Sequence, residues 1–318
     1  MERGRPRHAF GLDLDCEIAL DGVPELDRLS RAPTRVSAAR TETLARDWPS
    51  QGARRIVQEG DPGTALERFV DHHPDAGYRL AAGGFGEALI APDGRLVRAA
   101  RGEAMVERFE RFLIGRVLPW TALVRGIEVF HAAAVTAAGR AVILIGHSGA
   151  GKTSLAVQLV LGGAGFLTDD VLAVDRGDDG QLRAHPGARV AGLRTAERER
   201  LDADDHAALG PLRTLDDKAY ATLVPEAEPV GLGAIFFLTR PGAENGFAAD
   251  EPTVERLTAP PAQLLLASTF VLALRPPNRL DNLLGICADI AATVPQYRIR
   301  IRPGESSQTT AASIRAVL

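Results

Sequence analysis

Residues 141–170, AVILIGHSGAGKTSLAVQLVLGGAGFLTDD, constrain this chain more than any other stretch. The apolar run over 141–145 reads as a buried strand. It leads into Gly146-His147-Ser148-Gly149-Ala150-Gly151-Lys152-Thr153, a full match to G-x-x-x-x-G-K-[ST]. A helical pattern follows, with Leu155, Val157, Leu159, Val160 and Leu161 apolar around Ser154 and Gln158. Strand, glycine loop and helix, in that order, are the context that gives the pattern meaning.

The glycines let the backbone turn tightly and aim successive N–H groups at phosphate oxygens. The helix that follows points its positive end at the same anion. In such a loop Lys152 reaches the β- and γ-phosphates of a nucleotide and Thr153 offers its hydroxyl to Mg²⁺. The expected nucleotide-binding set is Gly146, His147, Ser148, Gly149, Ala150, Gly151, Lys152, Thr153 and Ser154, with ATP and Mg²⁺ as ligands; His147 contributes backbone only. Lysine usage agrees. Of 37 basic residues only Lys152 and Lys218 are lysines, and one of them stands where a compact ammonium is required.

Asp169 and Asp170 come soon after the helix, past the turn at 162–165, at the head of the apolar run Val171-Leu172-Ala173-Val174. Two carboxylates near bound phosphates can divide two tasks, one holding Mg²⁺ and the other taking the proton of an attacking hydroxyl. Neighbours on a strand face opposite ways, so the two act together only if the chain bends there.

With these residues in view, GHSGAGKTSLA followed by GFLTDDVLAVD resembles the HPr kinase/phosphorylase family, and in particular its bacterial HPr-kinase-related branch. The resemblance is strong over residues 130–174 and weak towards both ends. It implies a phosphate-binding role for Lys152, a metal-binding hydroxyl at Thr153, the general base at Asp169, and a metal-binding or supporting acid at Asp170. It also implies an active-site histidine at His131, on the strand before the loop. The chain departs from the family: the glutamate-containing signature after the acidic pair is not recognisable, and the N-terminal part does not look like the regulatory domain. Both departures argue against HPr itself as substrate. Members of the related branch accompany ribosomally made peptides, lasso peptides among them, and modify a serine. The resemblance therefore implies a serine of a peptide or protein as acceptor, with a small-molecule hydroxyl second. The family's hexamers make a homo-oligomer a further expectation.

A chain of 318 residues suffices for one large or two modest domains. A formal net charge of −4 gives no reason to expect nucleic acid or an anionic membrane as partner. No apolar run reaches the length of a membrane span. Residues 1–6 are polar and arginine-rich with no apolar core behind them, so no signal peptide is expected. Cys16 and Cys287 form neither a metal spacing nor a disulfide framework, and a cytoplasmic location is the simplest expectation.

Along the chain, residues 8–18 alternate apolar and polar and predict one half-buried strand, with Cys16 as a core residue. Residues 30–63 are weakly patterned, apart from a short helix over 41–48. Asp71-His72-His73-Pro74-Asp75 reads as a polar loop rather than a metal site, since adjacent histidines diverge and no third ligand is evident. Residues 78–100 predict short strands with a turn at Pro92-Asp93-Gly94. Residues 102–117 have helical period, with a Met105/Phe109/Phe112 stripe as core and Pro119 as the breaker. Two strands follow over 126–136 and 140–145. Residues 189–206 read as a charged helix. Lys218 is equally a phosphate or substrate contact and a surface lysine pairing with Asp216 or Asp217. Residues 275–279 (RPPNR) are a loop that either lines a substrate groove or merely connects.

The expected architecture is α/β: an HPr-kinase-like mixed-sheet core built around the glycine loop over residues 126–318, a smaller N-terminal antiparallel α+β domain over 1–101, and a connecting helix over 102–125. The expected activity is ATP- and Mg²⁺-dependent phosphoryl transfer to a hydroxyl. A nucleotide-gated binding or scaffold protein is the alternative, which the Asp169–Asp170 pair argues against because binding alone needs no base.

Overall fold

The computed structural model describes residues 5–29, 32–215, 218–240, 254–258, 262–271, 279–302 and 304–318. It is a mixed α/β structure of two compact units, Met1–Val129 with Val271–Arg279, and Phe130–Phe270 with Leu280–Leu318. Asp216, Asp217 and residues 275–278 of the RPPNR stretch lie outside the described residues.

The first unit carries an eight-stranded sheet in the order Arg7–Ala9, Leu12–Cys16, Thr34–Ala38, Leu96–Arg101, Gly86–Ile90, Gly77–Ala82, Arg68–His73, Arg54–Glu59. The single strand expected over 8–18 is instead a hairpin, with His8 opposite Asp13. Phe10 and Gly11 take φ of 57° and 77°, the paired positive values of a tight two-residue hairpin turn. The alternation hid the turn because Phe10, Leu12, Leu14 and Cys16 are all buried despite it. Burial pushes the Cys16 thiol up to about 12, so it is a core residue. The sheet is also not purely antiparallel. Thr34–Ala38 runs parallel to both Leu12–Cys16 and Leu96–Arg101, which the long connections between these strands permit.

Two local readings change for visible reasons. His72 and His73 lie at the end of a strand rather than in a loop. His72 packs on Tyr78, ring centroids 4.7 Å apart, and His73 Nδ1 accepts the backbone N–H groups of Asp75 and Ala76, closing the turn. Pro119 does not break the helix. The chain stays helical from Val106–Phe112 through one π-turn, Leu113–Val117, into Leu118–Val124. Leu118 N–H reaches back to the Leu113 carbonyl. This widening restarts the helix so that Pro119 falls in a first turn, where its missing N–H costs little. Phe109 and Phe112 are core, whereas Met105 is 56% exposed.

Within this unit the Arg279 guanidinium donates to both carboxylate oxygens of Glu128, at 2.6 and 3.1 Å, with both side chains almost fully buried. Arg279 also donates to the Val271 carbonyl. Removing one partner strands the other's charge in the interior. Glu128→Ala is expected to destabilise the fold by about 3–5 kcal/mol, read as a lowered urea midpoint.

The second unit is organised by three parallel strands. Arg140–Ile145 runs parallel to Val230–Thr239, which runs parallel to Gln296–Arg300. Antiparallel neighbours extend the sheet: Ala132–Ala137 and Gly165–Thr168 beyond Arg140–Ile145, and Leu182–His185 with Leu172–Arg176 beyond Val230–Thr239. Both faces are covered, which is why these strands read as unbroken apolar runs. Ala141, Ile143 and Ile145 pack on one side with Leu283, Ile286 and Ile290 of the helix Arg279–Thr293. Val142 and Leu144 pack on the other with Leu155 and Leu159 of Lys152–Leu161 and Ile314 of Ser307–Arg315.

The charged helix expected over 189–206 is replaced at its start by the strand Val190–Arg194, followed by two short helices, Thr195–Arg198 and Ala203–Leu209. That strand joins Lys218–Thr222 and Arg213–Leu215 in a small three-stranded sheet. Ala191, Leu193 and Ala221 bury against Val157 of the helix Lys152–Leu161. Tertiary pairing overrides the local preference here, since the alternation of Ala191 and Leu193 is too short to be read alone.

Candidate phosphate-binding site

The glycine loop leaves the C-terminal end of Arg140–Ile145 and enters the helix Lys152–Leu161 at Lys152. Ligands of open α/β sheets gather at this end of the parallel strands. Gly149 and Gly151 take φ of 81° and 98°, values that a side chain resists. The next strand of the sheet, Val230–Thr239, is close by: a Cβ on Gly146 would sit 3.0 Å from the Leu238 carbonyl oxygen. Ala150 is fully buried, while His147 and Ser148 are exposed. Ser154 is buried in the first helical turn. His147 Nδ1 lies 2.8 Å from the Ser148 carbonyl.

Lys152 is 7% exposed, and its ammonium donates to the carbonyls of Gly146 at 2.8 Å and His147 at 3.4 Å. Burial lowers its pKa, opposed by the negative charges of Asp170 and Asp169. The ammonium is thus curled over the loop, within reach of what the loop would hold.

Asp169 and Asp170 occupy a bend between Gly165–Thr168 and Leu172–Arg176. The Thr168 hydroxyl donates to the Val171 carbonyl, and Val171 N–H to the Asp169 carbonyl. Asp170 sits at φ 68°, a left-handed conformation that Asp tolerates better than most residues. At this bend the two carboxylates take different partners. Asp169 accepts the Thr153 hydroxyl at 2.8 Å on one oxygen and the Gly192 N–H at 3.2 Å on the other. Burial, then the charge of Asp170, raises its pKa to about 6 against the pull of those two donors and of Lys218. Asp170 is 68% exposed, with one oxygen 3.3 Å from His131 Nδ1. His131 lies in a bend just before Ala132–Ala137, its N–H held by the Ser268 carbonyl. Burial lowers its pKa, with Asp170 opposing and Lys152 assisting, which favours a neutral imidazole at neutral pH.

Lys152, Thr153, Asp169, Asp170 and His131, named from the sequence, therefore lie in one charged cluster at the loop. Sequence reasoning missed three residues near it. Gly192 supplies the second hydrogen bond to Asp169. Arg194 brings its guanidinium Nη1 to 3.9 Å from where a Cβ on Gly149 would stand. Arg240, just past Val230–Thr239, donates through Nε to the Ala150 carbonyl at 3.1 Å. Arg240 was findable, because it ends the apolar run GAIFFLTR at the ligand-binding end of a strand; Gly192 and Arg194 lay in a stretch read as helix.

The donor set suits a hard divalent cation. The Thr153 hydroxyl and the two carboxylates are oxygen ligands, and Mg²⁺ completes its shell with phosphate and water rather than with a protein cage. No group of three or more His, Cys, Asp or Glu suited to a metal occurs among the described residues.

No protein-family model matches the chain. No curated protein matches it either. Among solved structures the chain is similar to the HPr(Ser) kinase/phosphatase from Coxiella burnetii, at a TM-score of 0.30 and 15% identity, over 60% of this chain and 90% of that one. No helix among the described residues is long and apolar enough to cross a membrane.

Proposed function

We propose that this protein is a kinase that moves the γ-phosphoryl group of MgATP onto a hydroxyl, with a serine of a peptide or protein as acceptor ahead of a small-molecule hydroxyl. One observation carries the reading. Beside a glycine loop with its lysine and threonine, Asp169 is held by two hydrogen bonds with its pKa raised to about 6. A carboxylate so poised is mostly ionised at pH 7 yet basic enough to accept a proton.

In this reading the loop N–H groups and Lys152 bind the β- and γ-phosphates. Thr153 and Asp170 hold Mg²⁺, which supplies charge neutralisation of the phosphates. Asp169 takes the proton of the acceptor hydroxyl as the new O–P bond forms and the bond to ADP breaks. Neutral His131, paired with Asp170, orients that carboxylate. Positioning and electrostatics account for most of the catalysis.

The test is incubation with MgATP and serine-containing peptides encoded beside the gene, followed by mass spectrometry. One phosphate gained on serine is the expected result. ADP release with no phosphopeptide would move the acceptor to another hydroxyl compound. Nucleotide binding with neither transfer nor hydrolysis would overturn the kinase reading in favour of a binding module.

A further inference from the structure

Arg194 and Lys218 are cross-strand partners in the three-stranded sheet. Leu223 N–H donates to the Arg189 carbonyl, so the hydrogen-bonded pairs of this ladder are the odd-numbered ones, and Arg194 and Lys218 form a non-hydrogen-bonded pair. Such partners share a face and approach to about 4.5 Å between Cα atoms. Like charges placed directly opposite weaken a sheet. Neither side chain forms an ion pair among the described residues.

The sheet brings each of the two side chains close to the site. Arg194 extends to the glycine loop, with Nη1 3.9 Å from the Cβ position of Gly149. Lys218 leans across Gly192, its Cδ 3.4 Å from the Cβ position there. Gly192 is the residue whose N–H holds Asp169. A side chain at 192 would also meet Tyr220 at 2.8 Å, so glycine keeps this approach open. Lys218 thus lies beside the residue that holds Asp169, and its charge reaches Asp169, Lys152 and His131 weakly, behind stronger influences on each. Two facing cations beside a phosphate loop lose their mutual repulsion when an anion lies between them.

We infer that Arg194 and Lys218 form an in-cis cation pair that grips the terminal phosphoryl group of the nucleotide, distinguishing triphosphate from diphosphate and stabilising the group in transfer. This rests on the nucleotide-binding reading above. The pair adds a planar fork and a point charge to Lys152, on the side of the site where Asp169 meets the acceptor.

The experiment is calorimetric binding of MgADP and of a non-hydrolysable β,γ-imido ATP analogue with Mg²⁺, to wild type, Arg194→Gln, Lys218→Gln and Arg194→Lys, alongside their rates of phosphoryl transfer or hydrolysis. Both Gln variants should lose about tenfold or more in affinity for the imido triphosphate while holding MgADP within about twofold. Their rate should fall by about 10³, the scale of a removed transition-state arginine. Arg194→Lys should recover part of the triphosphate affinity, which a merely structural arginine would not require. Equal loss for both nucleotides, or no loss for either, overturns the pair as a terminal-phosphate grip while leaving the nucleotide site standing. Wild-type protein that binds neither nucleotide overturns the nucleotide reading, and the pair with it.

Discussion

Asp169→Asn should yield a protein that is more stable than wild type and has lost phosphoryl transfer by about 10²–10⁴-fold, the usual worth of a positioned general base. The stability gain follows from the raised pKa. Asp169 titrates near 6 in the folded protein and near 3.9 in an unfolded chain. Below about pH 4 the carboxyl is neutral in both states, and its burial carries no charge penalty. As pH rises from about 4 to 6 the unfolded chain ionises first, so folding stability is lost across that window and stays lower above it. At pH 7 the ionised carboxylate therefore costs the fold about 1–3 kcal/mol. An amide carries no such charge and can still accept from either Thr153 or Gly192. The melting temperature at pH 7 should rise, and the gap between variant and wild type should close near pH 4. The wild-type rate should climb about tenfold per pH unit up to about 6 and then level off, as a base that must be ionised requires. A variant that transfers phosphate at the wild-type rate would remove Asp169 from the role of base, whatever its stability. Stability given up at one half-buried, desolvated carboxylate is the trade expected of a working site rather than of a core position.

Lys152→Met should slow transfer by a comparable factor while leaving the fold in place. The ammonium is nearly buried, and burial lowers its pKa. The folded state thus disfavours its charge, a cost present at neutral pH that disappears only once the pH exceeds the unfolded value near 10.4. Methionine has similar length, carries no charge and packs readily. The lost hydrogen bonds to the Gly146 and His147 carbonyls offset part of the relief, so the melting temperature at pH 7 should stay close to that of wild type. Loss of a charge-stabilising donor of this kind costs about 10²–10³ in rate, more when it is a full cation. Arg in place of Lys152 should not restore activity, because a planar fork cannot occupy the small space over the loop that a compact ammonium fills. Paired rate and melting measurements on the two variants check both statements. A large drop in melting temperature for Lys152→Met would assign the lysine to holding the loop rather than to phosphate.

Features that a single stretch of chain specifies are legible in the amino-acid sequence. The glycine loop is a local object: its turn depends on Gly149 and Gly151 tolerating positive φ, and its lysine and threonine stand at fixed offsets from them. The bend at Asp169 and Asp170 is also inferable, since a straight strand would part the two carboxylates. Equally readable are the doubly buried strands, whose apolar runs admit no polar face. Features that depend on two distant segments are hidden. The turn at Phe10 and Gly11 keeps the same alternation as a straight strand, so periodicity alone cannot find it. Pro119 looks like a stop until a π-turn places it in a new first turn. Residues 190–194 carry enough charge nearby to suggest a helix, and only pairing with Lys218–Thr222 makes them a strand. That pairing then brings Gly192 to Asp169 and sets Arg194 beside the loop.

The motif, its lysine and its acidic pair were determined by sequence alone, because each depends on backbone conformations and spacings a few residues long. Which carboxylate is half-buried and which exposed, the basicity of Asp169, and the pairing of Arg194 with Lys218 were decided by tertiary structure. The physical reason is that desolvation and cross-strand electrostatics depend on neighbours about 20 or more residues away along the chain, and those neighbours are chosen by the fold.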